Sequence, residues 1–373
     1  MTSIKMPIFA STLKWARSEG HISELELAKH AGISVSKLQE FESEISLPTY
    51  AQMKKIASKL DRPLPFFFGP PPQISDVPQT TDFRHGKNNF PSNLARAIKR
   101  AESHRRTYLE LMGGESIKPV PQIRSISANE AAREFRQALN LNIFDLPKES
   151  SNEKAFRYWR QLLESEDFLI MQVSRIPLEI FRGFSIYHDS LPIIVINGAD
   201  SAAGKIFTLF HELGHIATRT SGLCLFTEKD RVEVFCNRFA EEFLMPTQTF
   251  SNFVRDQEFS KLVEKVAKKY RVSQLAAAYR LKSLGFLTNS EVDLVRVQSE
   301  EAWQEHRERL RESTGAPSPH IIQYRDLGAK YVEGVSQAIQ RNQISILDAS
   351  YFLNARVASV DKIINEHNRQ MVG

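Results

Sequence analysis

The residues best suited to chemistry in this sequence form one H-E-x-x-H motif, which consists of His211, Glu212 and His215 with two residues between. On a helix, residues four apart lie on one face, so both imidazoles can bind the same metal ion. Glu212 lies on the adjacent flank, within reach of a water on that ion. This is the arrangement of a zinc hydrolase, so the motif predicts one Zn²⁺ per chain with Glu212 as the catalytic base.

A zinc hydrolase needs a third protein ligand, and it keeps a fourth position open for water. The next predicted helix offers Glu233, eighteen positions after His215, and Asn237 follows one turn later on the same face. We predict that Glu233 is the third metal ligand and that Asn237 is the hydrogen-bond partner of a ligand imidazole. Glu241 and Glu242, further along this helix, are the alternative acids.

The residues around the motif predict a buried helix. Its apolar positions are Phe207, Leu209, Phe210, Leu213 and Ile216. The alternative interpretation is that the two histidines are ordinary core residues, bonded within the protein. A purely structural helix has little reason to bury two histidines and a glutamate, so we favour the metal site.

Two blocks around these residues resemble the ImmA/IrrE family of zinc metallo-endopeptidases. Residues 208–215 read TLFHELGH and residues 233–246 read EVFCNRFAEEFLMP; segments 155–160, 182–185 and 192–197 are similar to the family as well. The resemblance implies that a glutamate at position 233 completes the zinc site. It also implies a peptidase that cleaves a helix-turn-helix repressor and thereby derepresses stress-response or mobile-element genes.

Residues 8–62 have the pattern of a helix-turn-helix domain. They predict five short helices, four of which can be bounded: Ile8–Ser18, Glu24–Ala31, Val35–Glu42 and Thr49–Leu60. Gly32 marks the turn that gives the helix-turn-helix pattern between the second and third helices, and the segment resembles a Cro/cI-type (XRE) repressor domain. The predicted core positions are Leu13, Leu25, Ala28, Ile33, Leu38, Ile56 and Leu60.

The recognition helix of such a domain would be residues 34–41, which present Ser34, Ser36, Lys37 and Gln39 to base edges. Residues 1–62 carry nine Lys or Arg against seven Asp or Glu, and this net charge of +2 is a weak footprint for phosphate binding. The helix-turn-helix pattern makes double-stranded DNA a possible partner, although the charge adds little support. The alternative is that the domain serves for dimerisation or for docking a related repressor.

The whole pattern predicts a multidomain α+β fold. The expected parts are an all-α helix-turn-helix domain at 1–69, a linker and basic helix at 70–123, a gluzincin-like α+β metallopeptidase domain at 124–286 and a helical region at 287–373. The predicted strands of its small sheet are Phe168–Val173, Gly183–Tyr187 and Ile193–Asn197. Gly183–Tyr187 is the candidate edge strand that would pair with an extended substrate.

Two further segments carry predictions about organisation. Residues 62–72 mix prolines with three phenylalanines, which predicts an extended linker whose rings anchor the neighbouring domains. Residues 327–366 predict another helical unit, with a role in oligomerisation or partner sensing left open. Its expected core positions are Ala349, Phe352, Leu353, Val360 and Ile363.

The composition is that of an ordinary globular protein, with 42% hydrophobic and 25% charged residues among 373. No apolar run approaches the length of a membrane span, so we expect no membrane partner. A count of two cysteines suits a protein of the reducing cytoplasm. A homodimer is a possible oligomeric state. A net charge of +5 permits a nucleic-acid partner without arguing for one.

Two functions from different classes follow. The first is a zinc-dependent endopeptidase that cleaves a helix-turn-helix repressor, either a partner protein or this chain itself. The second is a DNA-binding regulator or antitoxin-like protein whose metal site is structural or sensory. The complete H-E-x-x-H motif favours the first, because a purely structural site would not need Glu212.

Overall fold

The structure is a computed structural model, and it divides into two compact units, Met1–Ser103 and His104–Gly373. Its helices, together with one small sheet, confirm the predicted multidomain α+β class. The residues that it describes are 5–20, 22–60, 62, 64–71, 92–113, 117–142, 145–174, 176–220, 222–223, 231–255, 261–312 and 317–372.

The first unit is built from short helices with well-defined ends. The side chains of Ser23 and Ser34 each accept a hydrogen bond from a backbone N–H of the helix that follows, and Gly32 ends the second helix at φ +72°. Thr49 forms a capping box with Gln52 at the start of the fourth. The elements are α1 Ala10–Glu19, α2 Glu24–Ala31, α3 Val35–Glu42, α4 Tyr50–Lys59 and a 3₁₀ helix Leu64–Phe68.

One predicted core position of this unit is wrong. Leu25 is 69% exposed, whereas Leu27, two residues later, is fully buried. The reason is the rotation of α2, which turns Leu27, Ala28 and Ala31 toward the core and leaves Leu25 on its outer face. The other predicted positions pack into or against the same core.

The prediction of an extended segment after α4 is also wrong over Leu64–Phe68, which form the 3₁₀ helix. Phe67 is fully buried in the core of the first unit, and the Phe66 ring lies 6.0 Å from the Trp15 ring, centroid to centroid. The segment therefore closes the helix-turn-helix core. Residues 72–91 of the predicted linker lie outside the described residues.

A long helix, α5, covers Ser92–Met112 and contains the division between the two units. Within the second unit, the Arg105 side chain donates to the backbone oxygens of Ser190 and Leu191, both at 3.0 Å. This part of the predicted basic helix therefore has a structural role. The helices that follow are α6 Ala128–Ala138, α7 Asn152–Ser165, α8 Ala202–Ala217, α9 Arg231–Leu244, α10 Thr247–Arg255, α11 Leu262–Tyr270 and α12 Gln274–Ser283.

The sheet of the second unit has the strand order β1-β3-β2-β4. Strand β3 is parallel to β1 and antiparallel to β2, and β2 is antiparallel to the short β4. All residues of β3 are buried, which fits a continuous apolar run in the middle of a sheet. The strands are β1 Leu169–Val173, β2 Gly183–Ile186, β3 Ile193–Asn197 and β4 Gly222–Leu223.

The prediction that Gly183–Tyr187 is an edge strand is therefore wrong. After α8 the chain returns beside β2, where Gly222 pairs with Ser185 and Leu223 with Phe184. Strand β2 thus lies between two others, and its central residues are not available to pair with a substrate. The two edges of the sheet are β1 and β4.

One large core joins the sheet to α6–α9 and to the helices after them. Its centre is aromatic: the Phe210 and Phe243 rings stack at 4.3 Å, and Trp159 meets Phe210 edge to face at 5.0 Å. Buried residues of α11 and α12, including Tyr270 and Leu281, belong to the same core. The helical segment after Pro246 therefore packs onto the central domain.

The C-terminal helices form a further packed layer of the second unit. Four of the five predicted core positions, Ala349, Leu353, Val360 and Ile363, are fully buried, and Phe352 is half-buried. None of the described helices is both long enough and apolar enough to cross a membrane. The C-terminal helices are α13 Asn289–Glu312, α14 Pro319–Leu327, α15 Ala329–Gln340, α16 Ile346–Phe352 and α17 Val357–Val372.

Candidate metal centre

Helix α8 carries the H-E-x-x-H motif through the middle of the second unit. Ser201 caps it by accepting a hydrogen bond from the backbone N–H of Gly204 at 3.0 Å. His211, Glu212 and His215 are all buried, with Glu212 fully so. Strand β2 approaches this helix closely because it has no side chain at Gly183, where a Cβ would lie 2.6 Å from Thr208 Cγ2.

The Glu233 carboxylate, from α9, faces both imidazoles. Its Oε2 lies 3.1 Å from His211 Nε2, and its Oε1 lies 3.3 Å from His215 Nε2. Zinc bonds of about 2.0–2.1 Å at the tetrahedral angle would separate neighbouring ligand atoms by about 3.3 Å. Two imidazole nitrogens and a carboxylate at this spacing are a donor set that fits zinc.

The orientation of His211 is fixed from its far side. Its Nδ1 lies 2.9 Å from Asn237 Oδ1, and since an amide oxygen only accepts, Nδ1 is the donor. In the neutral ring this leaves the lone pair of Nε2 directed toward Glu233. His215 has a weaker equivalent, with Nδ1 3.4 Å from Thr220 Oγ1. A metal ion needs this tautomer from a histidine ligand.

Glu212 is held by a residue that we did not predict. Ser185 Oγ, on β2, donates to Glu212 Oε2 at 2.8 Å, and Oε1 has no hydrogen-bond partner among the described residues. Burial raises the pKa of Glu212, although the charges of His215 and His211 oppose the shift. The feature of the sequence that could have identified Ser185 is its position as the single serine in an otherwise apolar predicted strand.

Glu233 has the opposite electrostatic environment. Burial alone would raise its pKa, but the adjacent imidazoles of His211 and His215 outweigh burial and lower the pKa to about 2. Glu233 is therefore a carboxylate at neutral pH, the protonation state that a metal ligand requires.

A second donor lies near the same imidazoles. Cys236 is fully buried, and donor atoms of Cys236, His211 and His215 lie within 4.8 Å of one another. Its sulfur packs against Gly214, where a Cβ would lie 3.2 Å from Sγ. We favour Glu233, because its oxygens face both Nε2 atoms; Cys236 is the alternative. The other cysteine, Cys224, lies outside the described residues.

The alternative acids of α9 do not face the imidazoles in this way. Glu242 is buried and forms an ion pair with Arg280, accepts a hydrogen bond from Thr247 Oγ1, and contacts Arg133 Nε at 3.2 Å. Burial raises the pKa of Glu241, with the Arg280 charge opposing the shift. Glu242 thus ties α9 to α12 and is not placed for metal binding.

The predicted DNA-contacting residues lie on or next to α3. Ser34 is its N-cap and accepts from the backbone N–H of Lys37 at 3.1 Å. Ser36 Oγ lies 2.9 Å from Ser34 Oγ, and Lys37 pairs with Glu40. Gln39 donates to Glu24, on α2, at 2.7 Å. The structure groups the four residues on α3 and its N-cap, with Ser34, Ser36 and Gln39 exposed. It also places acidic partners beside Lys37 and Gln39.

Comparison with known proteins agrees with both parts of this description. Residues 136–282 match the family model for the IrrE N-terminal-like domain, Peptidase_M78, and residues 13–67 match a helix-turn-helix model. No curated protein matches the chain. The first match suggests a peptidase with a protein substrate, and the second suggests DNA binding. The chain therefore joins an N-terminal helix-turn-helix domain of the XRE type to a Peptidase_M78 domain that contains the whole candidate metal centre.

Proposed function

We propose that this protein is a zinc-dependent endopeptidase whose substrate is a helix-turn-helix repressor. The observation that carries the proposal is the placement of one carboxylate, Glu233, at 3.1 and 3.3 Å from the Nε2 atoms of an H-E-x-x-H pair. Glu212 lies beside them, buried and held by Ser185. This set contains three metal ligands and a base, the groups that a metallopeptidase needs.

Three side chains would hold the ion: His211, His215 and Glu233. Asn237 positions His211 by accepting a hydrogen bond from its Nδ1–H, which keeps Nε2 free for the metal. A zinc ion bound there would acidify a water molecule and polarise the scissile carbonyl.

Glu212 handles the proton of the reaction. Ser185 occupies Oε2, so Oε1 is the oxygen that accepts a proton from the attacking water and passes it to the leaving amine. The burial of Glu212 excludes competing solvent from this transfer. Ser185 is thus a positioning residue for the base.

The substrate class is supported by the domain combination. A helix-turn-helix domain joined to a peptidase can recruit a repressor of similar fold, or can carry the peptidase to the operator that the repressor occupies. Cleavage of the repressor, or of this chain itself, would derepress stress-response or mobile-element genes. A cytoplasmic location, where such repressors act, belongs to the same proposal.

Metal content tests the ligand set first. Protein purified without added metal is expected to contain about one zinc per chain by elemental analysis. We expect Glu233→Ala to lose it and the matched control Val234→Ala, an exposed neighbour on the same helix, to retain it. Loss in Cys236→Ala but not in Glu233→Ala would assign the third ligand to the cysteine.

Cleavage tests the activity. The zinc-loaded chain is incubated with the helix-turn-helix repressor encoded beside it, and fragments are identified by mass spectrometry. Glu212→Gln, which keeps the shape of the side chain but cannot take a proton, is expected to lower the rate about 100- to 10,000-fold. Equal fragment yields from the wild type and this variant would refute the proposal.

A second function is favoured by a separate observation, the helix-turn-helix match with exposed Ser34, Ser36 and Gln39 on and beside α3. In this alternative the chain is a DNA-binding regulator or antitoxin-like protein with a structural or sensory metal site. It predicts operator binding in a gel-shift assay that survives Glu212→Gln and weakens in Gln39→Ala. Under this function, His211→Ala should unfold the central domain.

A further inference from the structure

A second candidate site adjoins the start of α8, the helix that carries the H-E-x-x-H motif. It is a cavity of about 250 Å³ between α7, β1 and the start of α8 on one side and the C-terminal helices α14 and α17 on the other. All of these elements belong to the second unit. The H-E-x-x-H motif does not contribute to its lining.

The lining is rich in cations. Arg157, Arg160, Lys205 and Arg325 all border the cavity, against two carboxylates, Glu153 and Glu164. The guanidinium of Arg160 is already hydrogen-bonded within the protein, since it donates to the backbone oxygen of Arg325 at 2.8 Å and to that of Ile170. Arg157 and Lys205 form no hydrogen bond or ion pair with any described residue, although the charges of Asp200 and Asp326 act on Lys205, so both cations can still bind a ligand.

Three buried polar atoms in the same lining form no hydrogen bond. Within the described residues, Arg160 Nε, Glu164 Oε2 and Gln172 Oε1 are buried and form no hydrogen bond, and Arg160 Nε has only an ion pair, with Glu164 Oε1 at 3.4 Å. The three residues are only 7%, 5% and 4% exposed. Buried polar atoms without hydrogen bonds are costly, so their collection around one cavity supports the binding of a polar molecule there.

We propose that this cavity binds a small organic anion that carries a phosphate or carboxylate group. Lys205 and Arg157 would contact the anionic group, because both are cationic and neither forms a hydrogen bond or ion pair with a described residue. Gln172 and Glu164 would bind its polar body, and the ring of Phe156 provides an apolar wall. The volume lies below the usual 300–1,000 Å³ of ligand pockets, which restricts the ligand to a small metabolite.

The site gives the C-terminal helices a specific role. Tyr324, Arg325 and Gln370 come from α14 and α17, while Lys205 lies six residues before His211 on α8. A bound anion would therefore join the C-terminal helices to the helix that carries the candidate metal ligands. The inference is independent of the proposed peptidase activity.

Binding is tested with two probes, inorganic phosphate and succinate, on the full chain in a chloride buffer of constant ionic strength. We expect at least one probe to give saturable heat in calorimetry and a concentration-dependent rise in the melting temperature of the second unit. Comparison of the two probes distinguishes a phosphate from a carboxylate ligand. No saturable signal from either would overturn the proposal.

Matched variants separate this cavity from the metal centre and from unspecific anion effects. Lys205→Met and Arg157→Gln should each weaken probe binding at least tenfold, whereas Lys154→Gln, an exposed lysine on α7, should leave it unchanged. Arg157 is exposed, so its replacement is not expected to disturb folding. Unchanged binding in both cavity variants would assign the anion to another site, including the metal centre, and would refute this one.

Discussion

At the scale of single residues, the candidate metal centre depends on side chains that hold other side chains. Asn237 fixes the ring of His211, and Ser185 fixes Glu212. Neither of them faces the ion or the substrate in our proposal. Their effect is to limit the protonation states and orientations that the ligands and the base can adopt.

The first prediction concerns Asn237. Replacing it by alanine removes the acceptor of His211 Nδ1–H, so the ring loses its fixed tautomer. We expect zinc affinity to fall about 10- to 100-fold in a competition assay with a chelator. The control is Asn365→Ala, an exposed position on α17. An unchanged affinity in the Asn237 variant would mean that this hydrogen bond does not support metal binding.

The second prediction concerns the pH dependence of stability through Lys205. Burial, followed by the charge of Arg325, lowers the pKa of Lys205 to about 8, with Arg160 acting the same way and Asp200 and Asp326 opposing. The unfolded chain keeps this proton up to pH 10.5, so between these values it binds more protons than the folded chain. The contribution of Lys205 to the free energy of unfolding therefore rises with pH across this window.

The comparison that isolates this contribution uses Lys205→Met in phosphate-free buffer. The variant should be more stable than the wild type below pH 8, and the difference should shrink toward pH 10.5, as measured by urea unfolding. Lys154→Met should show no such trend, since Lys154 is exposed. A constant difference across the window would contradict the assigned pKa.

Residue spacing alone was enough to predict which side chains share a face within a helix, and which residues of the next helix to consider as their partners. His211 and His215 share a face because they are four apart, and Asn237 follows Glu233 by the same interval. Ser185 was missed, because its contact with Glu212 spans 27 positions and depends on the packing of β2 against α8. The roles of these residues in metal binding and catalysis remain predictions.

At the scale of elements, the centre depends on how closely α8 and α9 approach each other. Gly214 lies at their contact, where a Cβ would be 3.1 Å from Cys236 Cα and 3.2 Å from its sulfur. A Cβ at these distances would be closer than nine in ten real Cβ contacts, so a larger residue would require a shift of a few tenths of an ångström. The separation of the two histidines from Glu233 is therefore set by a residue that has no chemistry of its own.

The third prediction follows from this contact. Gly214→Ala should force α8 and α9 apart, lower the free energy of unfolding by about 1–3 kcal/mol, and reduce zinc content. The control is Gly69→Ala, because no atom lies within 4 Å of the added methyl group there. Full zinc content in the Gly214 variant would show that the helices can relax without loss of the site.

The fourth prediction uses two neighbouring rings of the 3₁₀ helix. Phe67 is fully buried in the helix-turn-helix core, whereas Phe68 is 42% exposed. We expect Phe67→Ala to destabilise the first unit by about 3–5 kcal/mol in urea unfolding. Phe68→Ala should cost much less. Similar losses in both variants would mean that the segment does not close the core as the structure describes.

Most helices and strands could be predicted from pattern, but their arrangement could not. The strand Ile193–Asn197 has the predicted bounds, because a short apolar run between turn residues is a strong local signal. The order of the strands depends on where the chain returns after α8, so the edge position expected for Gly183–Tyr187 was wrong. Leu25 was misplaced for a related reason, since a short helix leaves its rotation ambiguous.

At the scale of the whole molecule, the two compact units have separate hydrophobic cores. The fifth prediction is that a chelator lowers the thermal transition of the second unit and leaves that of the first unchanged. Zinc held at a hundred times its dissociation constant would stabilise the folded second unit by about 2.7 kcal/mol. Calorimetry with and without the chelator measures both transitions. A shift in the first transition, or none in the second, would contradict the proposed location of the ion.

The candidate ligands come from two helices, α8 and α9, that are adjacent in space but separated along the chain. Under the proposed function, a zinc ion would fasten these helices together, and a chain without it would open more often. Opened chains are the ones that cellular proteases remove. We therefore expect the lifetime of the protein in a cell to follow the zinc supply, so that zinc scarcity lowers the amount of the enzyme as well as its activity.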